Sequence, residues 1–258
     1  MHMSIRDRLK RITLLKILVV IWRVFRNRHG FFAKIRALGS FFESWSAFRH
    51  MPRNSAFLLK THDLYPRLFD NTHGTPIDPV YFYQDTWCAG KIFSQKPEHH
   101  YDIASEAEFI GIISQFVPTT MVDIRPLPVT LPNLSFMQGD TTRLPFDDSS
   151  IASLSSICVI EHIGLGRYGD PLDPFGSEKA LAEMIRVLAP GGSLYISVPI
   201  DAENKVYFNA HRAFSPNYIF KLCMPLTLIE ERYVYGNRME QTYDPKKGFG
   251  TGLYHFKK

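Results

Sequence analysis

The sequence predicts an α/β fold: a mostly parallel sheet flanked by helices and preceded by a basic helical extension. Three observations predict it. Beyond about Lys91, short apolar runs alternate with helical stretches, the order that gives parallel strands joined by crossover helices. Four acidic residues, Asp102, Asp123, Asp140 and Glu161, end successive runs, where open sheets of this kind form their ligand crevice. Residues 1–53 hold twelve Lys or Arg against only Asp7 and Glu43, so they carry +10 in a chain of net charge +5 and leave the remainder at about −5.

The basic start comes first in the chain. Ile12 to Phe25 is apolar except for Thr13, Lys16 and Arg23, which leaves no run near the ~20 residues needed to cross a bilayer. On a helix, Arg6, Lys10, Thr13, Lys16, Arg23 and Asn27 form a polar stripe, with Leu15, Leu18, Trp22 and Phe25 on another face. Two readings follow: an interfacial helix whose residues 4–28 meet an anionic membrane surface, or an amphipathic helix packed on protein. A secretory signal is disfavoured, because Lys16 interrupts the apolar stretch and no small-residue cleavage site follows. Phe31, Phe32, Phe41, Phe42, Trp45 and Phe48 continue the helical region, giving an extension over 1–60. Residues 61–90 read as a linker with a turn-rich stretch from Pro66 to Pro79, and 91–258 as the main domain. Cys88, Cys158 and Cys223 lack any disulfide or metal-ligand spacing, so no metal is expected and a reducing cytoplasm fits, with membrane-peripheral attachment under the first reading.

Within the domain, Tyr101 to Ile103 reads as a first strand, Glu106 to Phe116 as a helix, Thr120 to Ile124 as a second strand and Ile151 to Ile160 as a later buried one. Ser177 to Leu188 is a helix by its apolar face of Leu181, Met184, Ile185 and Leu188, stopped by Pro190-Gly191-Gly192. Ser193 to Val198 returns as a strand. Ser215-Pro216 gives an N-cap and a first-turn proline for a helix to about Cys223. Leu226 to Tyr235 and Gly252 to Phe256 supply the last strands.

The run from Gly139-Asp140-Thr141 through Leu144-Pro145-Phe146 to Ser150, followed by Val159-Ile160-Glu161-His162-Ile163 and later by Glu183 to Gly192, resembles the methyltransferase type 11 pattern. A closer resemblance is to the uncharacterised domain-of-unknown-function family 268. It rests on Val122-Asp123-Ile124-Arg125-Pro126-Leu127 and on Glu161 to Pro171, and covers Tyr65 to about Ile219. This resemblance implies a three-layer, Rossmann-like class I methyltransferase sheet with its last strand antiparallel and S-adenosylmethionine as cofactor. Bacterial members of the second family are associated with surface-polysaccharide gene sets, which implies a small-molecule or glycan-linked hydroxyl acceptor. The alternative is a methyltransferase-like fold that has lost the cofactor and serves as a binding or scaffold protein. A nucleic-acid acceptor is disfavoured, since no Asn-Pro-Pro-Tyr-like motif or basic catalytic face is present.

Carried onto this sequence, the resemblance places the cofactor's methionine portion at the turn Asp102-Ile103-Ala104-Ser105-Glu106. There Ala104 and Glu106 stand where relatives have glycine, and a positive φ at Ala104 would strain it. Asp123, with Ile124 beside it, would accept the ribose hydroxyls, and Arg125 is its expected structural partner. Asp140 and Thr141 would contact the adenine. Glu161 and His162 would face the transferring methyl group, with His162 either a general base or a structural histidine. The stretch Gly164 to Gly176 reads either as a lid or as a rigid loop, bringing Arg167 and Tyr168 to the acceptor. His211 and Arg212 are further acceptor candidates, Arg212 for an anionic one.

Overall fold

The computed structural model describes residues 30–258, and the chain divides into two compact units, Met1–Pro76 and Ile77–Lys258. The helix expected over 4–28 lies outside the described residues. In the first unit, helix α1 spans Phe31–His50 and stops short of residue 60 because Met51 turns extended, with ψ of 150°. Pro52 follows, and a residue before proline is driven out of the helical region. Phe31, Phe32, Ile35, Phe42 and Phe48 on this helix are exposed. No helix among the described residues is long and apolar enough to cross a membrane.

The second unit opens with helix α2, Pro79–Gln95. Asp78 caps it, accepting from the backbone N–H groups of Val80 (2.9 Å) and Tyr81 (3.4 Å), and Pro79 occupies the first turn. This stretch falls largely within the segment read as a 61–90 linker. It escapes the eye because its inward face, Gln84, Trp87, Cys88 and Ile92, is only partly apolar. The sheet follows: β1 (His100–Ile103), helix α3 (Ala107–Ile113), β2 (Thr119–Asp123), β3 (Leu134–Gln138), β4 (Ile151–Ile157), helix α4 (Gly176–Val187) and β5 (Leu188–Ile200). A hairpin of β6 (Lys205–Tyr207) and β7 (His211–Ala213) stands apart. Helix α5 (Pro216–Leu222), β8 (Thr227–Tyr235), β9 (Arg238–Glu240) and β10 (Gly250–Lys257) complete the chain.

The strand order is β3-β2-β1-β4-β5-β10-β8-β9. Strands β1 to β5 are parallel. The last strand, β10, runs antiparallel between β5 and β8, as the sequence led us to expect. Central strands β2, β4 and β5 are buried almost throughout, the pattern of a sheet covered on both faces. One face packs Leu181 and Met184 of α4 with Ile219 of α5 against Leu154, Leu194 and Ile196. The other packs Trp87, Cys88 and Ile92 of α2 with Phe109, Ile110 and Ile113 of α3 against Met121, Ile157 and Leu253. The result is a three-layer sandwich with every parallel strand ending at the same edge.

Candidate active site

That edge is a trough. The turn after β1 places Ala104 there in the left-handed region, φ +56°, and the turn after β4 does the same with Cys158, φ +52°. Two L-residues forced into this region at neighbouring strand ends store backbone strain, a feature that gathers at functional sites. Gly139 sits opposite, where a Cβ would come within 2.7 Å of Val122 Cγ1; only glycine lets the chain leave β3 against β2 and present Asp140. One cavity is lined by Ala104, Asp123, Ile124, Asp140, Thr141 and His162 among others. A second, more open one reaches Tyr81, Ser105 and Glu106. Ala104, Asp123, Arg125, Cys158 and Tyr168 line both.

Asp123 is held by its second neighbour. The backbone N–H of Arg125 donates to its Oδ1 (2.8 Å), and the guanidinium adds Nε to Oδ1 (3.3 Å) and Nη2 to Oδ2 (3.1 Å). Tyr168 lies across this pair, its ring 4.5 Å from the Arg125 guanidinium and 5.1 Å from that of Arg167. Asp102 does not line the trough. It is fully buried beneath it, accepting from Ser105 N (2.9 Å), Ser105 Oγ (2.6 Å) and Ser155 Oγ (2.5 Å). Burial raises its pKa to about 6 against the opposing pull of those bonds. Its work is to fix the β1 turn, since Ser105 Oγ in turn accepts from Ile157 N on β4 (2.9 Å).

Glu161 and His162 sit in a single turn, Ile160–His162, beyond β4. His162 Nδ1 lies 2.7 Å from the carbonyl of Ala210. A carbonyl only accepts, so Nδ1 carries the proton and Nε2 keeps its lone pair. Burial holds the His162 pKa down to about 4, and the nearby Arg167 charge adds to this. Glu161 is buried with Oε1 3.7 Å from His162 Nε2 and Oε2 without a partner. Burial pushes its pKa up to about 8, so it is neutral at pH 7. It stands behind His162 and lines neither cavity.

Asp170 Oδ2 accepts from Gly164 N (2.7 Å) and Gly166 N (3.3 Å), and its Oδ1 from Tyr168 N (3.2 Å). Gly164 has φ +82°, and a Cβ there would lie 2.1 Å from Asp173 O. Arg212 is buried and points at the foot of this loop, donating to Ile163 O (2.6 Å), Ser177 Oγ (3.1 Å), Asp173 O (3.2 Å) and Pro174 O (3.3 Å). It therefore pins the 164–176 segment and does not reach the trough. His211 packs against Tyr207 and Phe249, 5.0 and 5.7 Å between centroids, beside the trough and off its lining. Tyr81 of the α2 helix does line it; the Asp78-Pro79 cap signal would have announced that helix in the sequence. Among the described residues no His/Cys/Asp/Glu group is placed to hold a metal ion.

Solved structures with this arrangement exist. The chain is similar in fold to the 1,6-didemethyltoxoflavin-N1-methyltransferase of Burkholderia thailandensis, solved with 1,6-didemethyltoxoflavin and S-adenosylhomocysteine, with a TM-score of 0.51, 15% identity, and 69% of this chain and 80% of that one covered. The domain has the class I methyltransferase fold. Residues 146–246 of this methyltransferase-like domain match the family described as Caenorhabditis protein of unknown function, DUF268. The match begins at Phe146, beyond the Val122–Leu127 stretch that first suggested it.

Two bacterial proteins are similar in sequence. One is the ubiquinone/menaquinone biosynthesis C-methyltransferase UbiE of Bdellovibrio bacteriovorus, 28% identical over 117 residues, 45% of each chain. The other is the demethylmenaquinone methyltransferase of Renibacterium salmoninarum, 39% identical over 66 residues, 26% of this chain and 23% of that one. The chain thus matches less than half of either relative's length.

Proposed function

We propose that the trough binds S-adenosylmethionine and that the domain transfers its methyl group to a hydroxyl on a small-molecule or glycan-linked acceptor. The observation that carries this reading is the convergence of Ala104, Asp123, Ile124, Asp140 and Thr141 on one cavity at the carboxyl edge of the sheet. The donor set fits the cofactor. Asp123 can accept both ribose hydroxyls, Ile124 and Thr141 flank the adenine, and Asp140 can take its amino hydrogens. Ala104 and the backbone of Ser105 border the methionine portion, with Asp102 and Glu161 supporting from beneath. When bound, the cofactor supplies an electrophilic methyl group on a positively charged sulfur.

The protein's own residues do the rest. Walls from Cys158, Val159 and Tyr168 narrow the trough, which aligns the reacting atoms and excludes water. His162, with Nδ1–H committed to Ala210, offers Nε2 to the acceptor's hydroxyl proton. Arg167 and Tyr168 border the acceptor, with His211 further out. Placement in the cytoplasm at a membrane surface, through residues 4–28, belongs to the same proposal. Its check is flotation with anionic vesicles: full-length protein should float, and a chain lacking 1–30 should not.

The experiment for the cofactor is calorimetric titration with S-adenosylhomocysteine. Wild type should bind, and Asp123→Ala should lose tenfold or more, since each of two hydrogen bonds to a charged group contributes about 1.5–3 kcal/mol. Ala104, whose Cβ stands in the trough in a strained backbone, favours a second reading in which the fold serves binding alone. Absence of any titration signal would select it.

A further inference from the structure

We propose that Arg125 is an anion-binding, specificity-determining residue, and that the acceptor carries a phosphate or carboxylate which takes the guanidinium over from Asp123. The inference rests on the cofactor reading above. Oδ1 of Asp123 already accepts from both Arg125 N and Arg125 Nε, so with two lone pairs it can take a ribose hydroxyl only when Nε lets go. Cofactor entry therefore displaces the guanidinium. The Arg125 side chain is 54% exposed, so the released guanidinium is open to an arriving anion, and a charge-assisted pair with it stabilises the cofactor-bound state.

The geometry is set for that exchange. Arg125 lines both cavities, so a group in either can reach it. Only Nε and Nη2 bond Asp123, while Nη1 does not. The Tyr168 ring, with its centroid 4.5 Å away, gives the guanidinium a cation–π shelf. Arg167 adds a second positive charge at the same ring, and among the described residues no carboxylate pairs with it. Tyr168 itself is held by the Asp170-fastened loop, so this cationic rim is preformed.

The coupling predicts that an anion and the cofactor help each other bind, reciprocally. Titrate S-adenosylhomocysteine into full-length protein in chloride, in inorganic phosphate and in acetate at equal ionic strength. Phosphate, acetate or both should tighten wild-type binding by roughly fivefold or more, the lower end of typical coupling between sites; which of them does so tells phosphate from carboxylate. Arg125→Gln should bind tighter than wild type in chloride, because Asp123 is free, and should ignore both anions. Tyr168→Leu, which keeps Arg125 but not its shelf, should show a reduced response. Binding that is indifferent to both anions, or Arg125→Gln binding more weakly than wild type, would overturn the inference and leave the cofactor reading standing. No binding in any protein or buffer would overturn both.

Discussion

Ala104 occupies a turn whose backbone conformation suits glycine better than alanine. The turn after β1 demands φ near +56°, and glycine is its natural occupant; alanine adopts the same conformation at a cost of about 1–2 kcal/mol. Glycine would add unfolded-chain entropy of roughly 0.5–1 kcal/mol, so Ala104→Gly should still raise the melting temperature by a few degrees, at about 2–4 °C per kcal/mol. It should leave S-adenosylhomocysteine binding unchanged or tighter. Glu161 gives a second test through pH. Its pKa rises from 4.5 in the unfolded chain to about 8 in the fold. Between those values the native state binds a proton that the unfolded state does not, so this group lowers stability as pH rises from 4.5 to 8. Glu161→Gln copies the neutral carboxyl. Thermal melts should show the variant gaining on wild type progressively across that window, most at pH 8 and above. Parallel curves would mean that Glu161 ionises freely. His162 acts in the opposite sense: with a folded pKa near 4 it costs stability as pH falls from 6.5 toward 4, and Glu161→Gln should leave that acid limb in place.

At the scale of elements, the two stretches that first suggested the fold turn out to touch. Glu183 accepts from Leu144 N (2.8 Å), while Arg186 donates to the carbonyls of Phe146 (2.9 Å) and Leu144 (3.1 Å). The Leu-Pro-Phe turn and the α4 helix are one clamp, and their pattern was legible because it is structural. The strand ends Asp123 and Asp140 were legible for a related reason, being fixed by the period of the sheet. The partner of Asp123, Arg125, was legible because it lies two residues away. What sequence could not give was long-range direction. Arg212 looked like an acceptor contact until the fold turned it to the foot of the 164–176 loop, and α2 hid behind a half-polar inner face. The β6–β7 hairpin, three residues per strand, is too short for alternation to show. The loop pinned by Arg212 supports a rigid rim over a mobile lid. Arg212→Met should therefore cost about 1.5–3 kcal/mol or more, the worth of a hydrogen bond to a charged group, because it strips buried carbonyls of their donor. It should also speed amide exchange across 164–176 while β4 and β5 stay protected. Slow exchange in both proteins would show that Asp170 alone holds the loop.

The whole molecule poses the question of where the domain begins. The sequence placed that start near Lys91, whereas the second compact unit begins at Ile77 and includes α2. The difference is energetic as well as topological. Trp87, Cys88 and Ile92 are buried in the core face shared with Ile110, Val234 and Leu253, and Trp87 Nε1 donates to Glu230 on β8 (3.1 Å). Gln84, fully buried, accepts from Ser197 Oγ (2.9 Å) and Cys158 Sγ (3.0 Å), tying α2 to the strained turn in the trough. Losing Trp87 alone would cost about 3–5 kcal/mol, a large share of the roughly 5–15 kcal/mol that holds a typical domain together. A chain starting at Ile77 should fold, melt cooperatively and bind S-adenosylhomocysteine as the full chain does. One starting at Lys91 removes the Trp87 side of the core and the residue that backs Cys158, so it should be insoluble or molten, with lost near-UV dichroism. Should the shorter chain instead melt cooperatively near the full-length temperature, α2 would be an accessory to the domain, and the trough would owe its shape to the sheet alone.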